Sequence, residues 1–237
     1  MESGKKSLEE LTTAGVFHVP EYQRYYSWTE PEWDDLWTDL YTLPPDKQHY
    51  FGTIIIQKTD ETESGGSTGG YGSSREKPIS LLIDGQQRLT SLALLVRSMT
   101  ECLEEIAPET DHEAEILADV EEMRETLHVE DNIYQLQLLD EEDNKYLEWL
   151  LTGHDVHEPD RPSQRKMIEA KEYFDDQLDD LTASPDVDPV DVATELKLLW
   201  ETILELELMV YVVDAANPEK ATLIFDSVND RGRSLST

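Results

Sequence analysis

The order of apolar and polar positions predicts strands toward both ends of the chain and helices in its middle. A short helix near Ser7–Thr13 precedes a brief strand at Val16–Val19, which Pro20 ends. Thr29 suits a helix N-cap with Pro31 in the first turn. Trp33, Leu36, Trp37, Leu40 and Tyr41 then recur at helical spacing as one core face. Tyr50–Lys58 (YFGTIIIQK) is apolar and β-branched, hence a strand, and Pro78–Ile83 returns beside it. Between them, Ser64–Ser74 holds five of the eleven glycines. No Gly-Lys-Ser/Thr follows, so this stretch reads as a flexible connection and not as a P-loop.

From Gln86 the period becomes helical, with Leu89, Leu92, Ala93, Val96, Met99, Leu103 and Ile106 on one face. A second amphipathic helix covers 109–131, and Asn132–Leu139 fits a strand or an extended connection. Helices are predicted at 141–151, 162–182 and 189–205, the last two separated by the linker Ser184–Pro189. Leu206–Asp214 is a strand, and Pro218–Val228 a helix with Ala221, Ile224, Phe225 and Val228 as its apolar residues. Gly232 suits the position just past that helix.

This order implies an α+β fold, not an alternating doubly wound sheet. Residues 1–100 form the first part of the core, 101–205 an acidic helical insertion, and 206–237 a strand and helix that complete the core. Ser234–Thr237 reads as the start of another element, so the chain is expected to be a truncated piece of a longer protein.

Charge changes the picture of possible partners. Against 19 basic residues stand 53 acidic ones, a formal charge of −34. Taken alone, that disfavours nucleic acid, because phosphate binding needs a basic face. The acidity runs through every section, however: 15 acids to 9 bases over 1–100, 21 to 2 over 101–160, and 17 to 8 over 161–237. Uniform carboxylate with little lysine is what salt adaptation produces, so a halophilic origin is expected and local arginines become the informative signal. The single Cys102 excludes a disulfide framework and a cysteine zinc cluster, and points to a reducing cytoplasm. No apolar run reaches the ~18 residues of a membrane span, and no signal peptide opens the chain.

Three segments concentrate candidate chemistry. In Ile83-Asp84-Gly85-Gln86-Gln87-Arg88 a strand enters a tight Asp-Gly turn and a helix starts at once. Open backbone N–H groups there, at the positive end of the helix dipole, suit phosphate. Arg88 can add a forked donor pair, and Asp84 can hold a magnesium ion or accept a proton. The same residues would equally make a plain Asp-Gly turn with two glutamines satisfying a helix start. Val19–Trp28 (VPEYQRYYSW) mixes polar and aromatic residues without amphipathic order, and its aromatics would also serve as packing. Phe225–Arg233 (FDSVNDRGR) would also serve as a plain helix C-terminus. Yet Arg24, Arg88, Arg231 and Arg233 are four of only nine arginines. His154-Asp155-Val156-His157 is a weak metal candidate, and the acidic surroundings of Cys102 would not activate a thiolate.

Together VPEYQRYYSW, YFGTIII, LLIDGQQRLTSLALL and IFDSVNDRGRSLS resemble, in order, the signature blocks of the N-terminal domain of GmrSD-type restriction systems. The resemblance spans residues 17–237. It implies a ParB/sulfiredoxin-like small mixed sheet with inserted helices, in a system that defends against modified foreign DNA. It further implies that this domain binds and hydrolyses a nucleoside triphosphate with Mg2+, partnered by an HNH-type nuclease domain. The implied catalytic and phosphate-site residues are Asp84, Gly85, Gln86, Gln87 and Arg88. Tyr22, Gln23 and Arg24 fall on a second block, and Asn229, Arg231 and Gly232 on a third. No HNH-like cluster is present in the chain itself. A non-catalytic DNA or nucleotide sensor and a ParB-like nuclease are the alternatives.

Overall fold

A computed structural model describes residues 2–13, 15–42, 50–63, 77–130, 133–153, 157–183 and 187–214. It opens with β1 (Glu2–Ser7), α1 (Leu8–Thr12), β2 (Val16–Val19) and α2 (Glu30–Tyr41). The strands β3 (Tyr50–Glu63) and β4 (Lys77–Asp84) lead into α3 (Gln86–Ile106) and α4 (Glu113–Leu127). Three short strands follow, β5 (His128–Glu130), β6 (Ile133–Tyr134) and β7 (Leu136–Leu138). The chain then passes through α5 (Glu141–Thr152), α6 (Pro162–Thr182) and α7 (Pro189–Leu204) to β8 (Glu207–Val213).

Six strands form one mixed sheet in the order β1-β8-β3-β4-β2-β7, and β5 with β6 makes a separate hairpin. β2 lies parallel to both β4 and β7, whereas β3 runs antiparallel to β4 and parallel to β8. The carboxyl ends of β2, β4 and β7 therefore meet at one end of the sheet. Ligands in open α/β sheets gather at such ends.

α3 is the axis of the helical layer. Every residue from Thr90 to Thr100 is buried, so the helix is enclosed on all sides, as a helix surrounded by others must be. It packs against α4, α5, α6 and α7 and carries Leu92, Leu95, Met99 and Leu103 into the main core. On the sheet, Ile54, Ile56, Leu82, Leu208 and Val210 face this core, while the alternate residues Ile55, Ile83 and Val213 form a second small cluster. The predicted boundary at residue 100 falls inside α3, which the sheet and the helical section share.

The scarce basic residues bridge seams between helices. Lys171 on α6 joins Glu101 of α3, Arg124 of α4 joins Glu104 at 2.5 Å, and Lys197 of α7 joins Asp119 of α4 at 2.7 Å. With all 19 basic residues counted, a net charge of −34 remains. At ~1 M salt the Debye length falls to ~3 Å, so self-repulsion that opposes folding in dilute buffer is screened. The thermal unfolding midpoint is expected to rise steeply from dilute buffer to molar KCl. A flat profile would remove the salt-adaptation reading.

Two sequence expectations change. β1 was not expected, because ESGKKS has no apolar alternation; its strand form comes from backbone pairing with β8, Glu2 opposite Val212 and Ser7 opposite Glu207. The helix expected over 109–131 is the shorter Glu113–Leu127, since Glu109 ends a 3-10 turn and His128–Glu130 form β5. The helix expected at Pro218–Val228, the glycine-rich stretch and His154–Val156 lie outside the described residues.

Candidate functional site

The carboxyl end of β4 enters α3 through one residue, Gly85, at φ 103°. Only glycine takes that conformation readily, and a Cβ would also stand 2.9 Å from Ile54 Cγ1. A glycine cap offers no side-chain acceptor, and none caps this helix. Among the described residues the first N–H groups of α3 therefore have no side-chain cap, at the positive end of a 21-residue helix. Asp84 stands beside them and accepts the Gly85 N–H at 2.8 Å.

The segment after β2 is sewn onto this turn by three glutamines. Gln23 Nε2 donates to the Ile83 carbonyl at 3.0 Å, and Gln86 Nε2 to the Arg24 carbonyl at 2.6 Å. Gln87 uses both ends of its amide: Oε1 accepts from Ser27 and Trp28 N–H at 2.8 and 3.3 Å, and Nε2 donates to the Tyr25 carbonyl at 3.3 Å. Below, Tyr26 shares a hydrogen bond with Ser91 and accepts one from Trp33 Nε1. Burial drives the Tyr26 phenol pKa far up, so it stays protonated. What this anchoring leaves outside is Tyr22, 73% exposed, Tyr25, 56% exposed, and the side chain of Arg24. Arg24 lies within electrostatic reach of Asp84.

Arg88 is placed otherwise than its expected role requires. Its fork closes on β3, Nη1 donating to the Phe51 carbonyl at 2.8 Å and Nη2 to the Thr53 carbonyl at 2.7 Å. The residue between those carbonyls is Gly52, at φ 105°, where a Cβ would lie 1.9 Å from Nη1. Its register against β8 shifts at this point, a bulge that admits the guanidinium. Burial lowers the Arg88 pKa and the nearby Asp84 carboxylate raises it, with burial ahead. The fork expected to meet a phosphate is thus occupied by main chain.

Burial also raises the Asp84 pKa, against the opposing pull of Arg88, the Gly85 N–H and Arg24. A raised value means that the folded state holds this proton to higher pH than the unfolded state does. The stability contributed by Asp84 then falls as pH rises from the ordinary value of 3.8 through the raised one. Comparing thermal unfolding of wild type and Asp84→Asn across acid pH should show the variant losing less stability over that window. Parallel curves would contradict the shift.

Beside the turn lies a small cleft, partly open to solvent, with Pro20, Arg24, Tyr25, Gln86, Asp140 and Asp143 among its walls. Asp140 and Asp143 come from the inserted section. Tyr25 Oη donates to Asp140 at 3.4 Å, and Asp140 pairs with Arg161 at 2.6 Å. Asp143 is buried, 3.7 Å from Arg161, and burial raises its pKa. Sequence reading missed these three residues, since 115 positions separate Tyr25 from Asp140. It also missed Gly52, although a lone glycine in a β-branched run is a signal of a bulge or close approach.

The remaining candidates take modest places. Among the described residues no group of three or more His, Cys, Asp or Glu is arranged to hold a metal, and His157 packs edge-on against Trp149. The Cys102 thiol is pushed up to about 11 by burial and by Asp179, Glu105 and Asp175. Asn229, Arg231 and Gly232 lie outside the described residues. No described helix is long and apolar enough to cross a membrane.

A family model, that of the GmrSD restriction endonuclease N-terminal domain, matches residues 6–237. The chain belongs to this family. The match covers the Gln23–Arg24 segment, the Asp84–Arg88 turn and the Gly52 bulge together, so the resemblance carried by the motif blocks is borne out. Membership in the GmrSD family ties the chain to a restriction system. A search among curated proteins found no match.

Proposed function

We propose that this GmrSD-family domain binds a nucleoside triphosphate at the open end of α3 and regulates a restriction system through it. The supporting observation is the uncapped, glycine-opened N-terminus of α3 beside the exposed Arg24. Backbone N–H groups of the Gly85–Arg88 turn and the Arg24 guanidinium would take the phosphates. Tyr22, exposed and two residues before Arg24, would offer a stacking face for the base. Gln23, Gln86, Gln87 and Arg88 act by holding the segment and the bulge in place. Asn229, Arg231 and Gly232 would close the site, as the family blocks imply.

The lone carboxylate of Asp84 fits Mg2+ only in the mode where substrate phosphates supply the other ligands. Bound so, the ion would neutralise charge developing between phosphates, and the chain's own share is positioning and charge stabilisation. Modified DNA as the signal, an HNH-type nuclease as the partner and a ParB/sulfiredoxin-like ancestry of the sheet belong to the same proposal.

One observation favours a second reading, a sensor that binds nucleotide without turning it over. Both ends of the Gln87 amide are engaged with backbone, so this side chain is not available to orient an attacking water. The test is equilibrium binding and phosphate release with each of the four nucleoside triphosphates, in molar salt with Mg2+. Binding with release supports hydrolysis, and binding without release supports the sensor. No binding overturns both.

A further inference from the structure

Apart from the cleft beside the Asp84 turn, a second cavity lies between the sheet and the helical layer. Leu11 of α1, Phe17 of β2, Leu92 and Val96 of α3, and Trp200 and Ile203 of α7 stand in its walls. Its volume is about 60 Å³, and it is partly open to solvent. A water needs about 10–15 Å³ of such room and two to four polar partners. This cavity has the room, but its walls are largely apolar.

The polar side chains in the walls have partners within the fold, with one exception. Thr12 Oγ1 donates to the Glu9 carbonyl at 2.8 Å, and Thr126 Oγ1 to the Glu122 carbonyl at 3.0 Å. Gln135 Nε2 donates to the Leu11 carbonyl at 3.0 Å. Trp200 is the exception: it is 4% exposed, and its buried Nε1–H has no hydrogen-bond partner among the described residues. A buried donor left unpaired is costly, so an acceptor brought to it gains more than it would in water. None of the described wall residues carries a charge. An anion would find no counter-charge there, in a chain of net charge −34, and a cation no carboxylate to replace its water.

We propose that this cavity binds a small neutral apolar molecule whose carbonyl oxygen accepts the Trp200 Nε1–H. The volume admits the end of an alkyl chain, and the open side lets the rest of a longer ligand leave. The site is separate from the N-terminus of α3 and does not rest on the nucleotide reading. Leu89, the residue after Arg88, is also in the wall, so an occupant would touch α3 one turn beyond Gly85.

The experiment titrates the full chain with butyl methyl ketone and with the alkene in which a methylene group replaces the carbonyl oxygen. NMR of the tryptophan indole N–H groups reports the contact. The Trp200 signal should move downfield with the ketone and not with the alkene, and show Overhauser contacts to the ketone's methyl groups. Trp200→Phe removes the N–H and keeps a large ring, so it should weaken the ketone about 2- to 12-fold more than the alkene. Ala93→Leu fills part of the cavity and should weaken both probes. Absence of ketone binding overturns the proposal, as do equal losses for both probes in Trp200→Phe, unchanged binding in Ala93→Leu, or contacts that fall on another tryptophan. If a variant fails to fold, the titration of the wild-type chain decides.

Discussion

Arg24→Ala is expected to weaken nucleotide binding about 10- to 150-fold while leaving the unfolding midpoint in place, and Arg88→Ala to do the reverse. The first figure is the ~1.5–3 kcal/mol of a hydrogen bond to a charged group. Arg24 is exposed and its backbone, not its side chain, is what Gln86 holds. Arg88 instead binds two main-chain carbonyls and lies beside Asp84. Removing it leaves those two carbonyls without their donors and takes away a charge that favours the Asp84 carboxylate, a loss of about 3–5 kcal/mol. For a chain of this size each kcal/mol moves the midpoint by about 2–4 °C, so a fall of roughly 6–20 °C should be read by calorimetry. Titrations belong in molar salt, where the general attraction of any positive charge for an anion is screened and a direct contact survives. An Arg88 variant that keeps its stability and loses only nucleotide would return the phosphate to Arg88.

Gly52→Ala should cost nearly as much through a different route. The backbone there is at φ 105°, where an L side chain is strained by about 1–2 kcal/mol. The new methyl would also collide with Arg88 Nη1, displacing at least one arm of the fork. Together these give a loss of about 3 kcal/mol, or roughly 6–12 °C in the midpoint. The double variant Gly52→Ala/Arg88→Ala separates the two contributions, since without the guanidinium only the backbone strain remains. Additive losses in that cycle would show that the glycine and the arginine act independently.

Elements with a strong period were legible. β2 and α6 match their expected bounds, and α2, α3, α5, α7 and β8 lie within a residue or two of theirs, because burial on one face writes itself into the spacing of Leu, Ile, Trp and Met. β1 was hidden because its residues are polar and its strand form depends on a partner some two hundred positions away. The Asp84–Gly85 turn was legible as a glycine-opened helix start. The destinations of Gln86, Gln87 and Arg88 were not: a motif names donors and acceptors, but which carbonyl lies in reach depends on how β2 and β3 flank β4. Local spacing carries no record of that.

The strand order also sets a timetable for the newborn chain. β8 is the last described strand, yet it sits inside the sheet, between β1 and β3. The first strand has no neighbour until the last has been made, and β3, which carries the bulge that grips Arg88, has only β4 beside it until then. Such distant pairings are slow to form, because the long loop between them must close before any contact rewards it. During synthesis the YFGTIIIQK edge is therefore open to β-strands of other chains. A dense negative charge that keeps unfinished copies apart serves the protein before it has folded, as well as after.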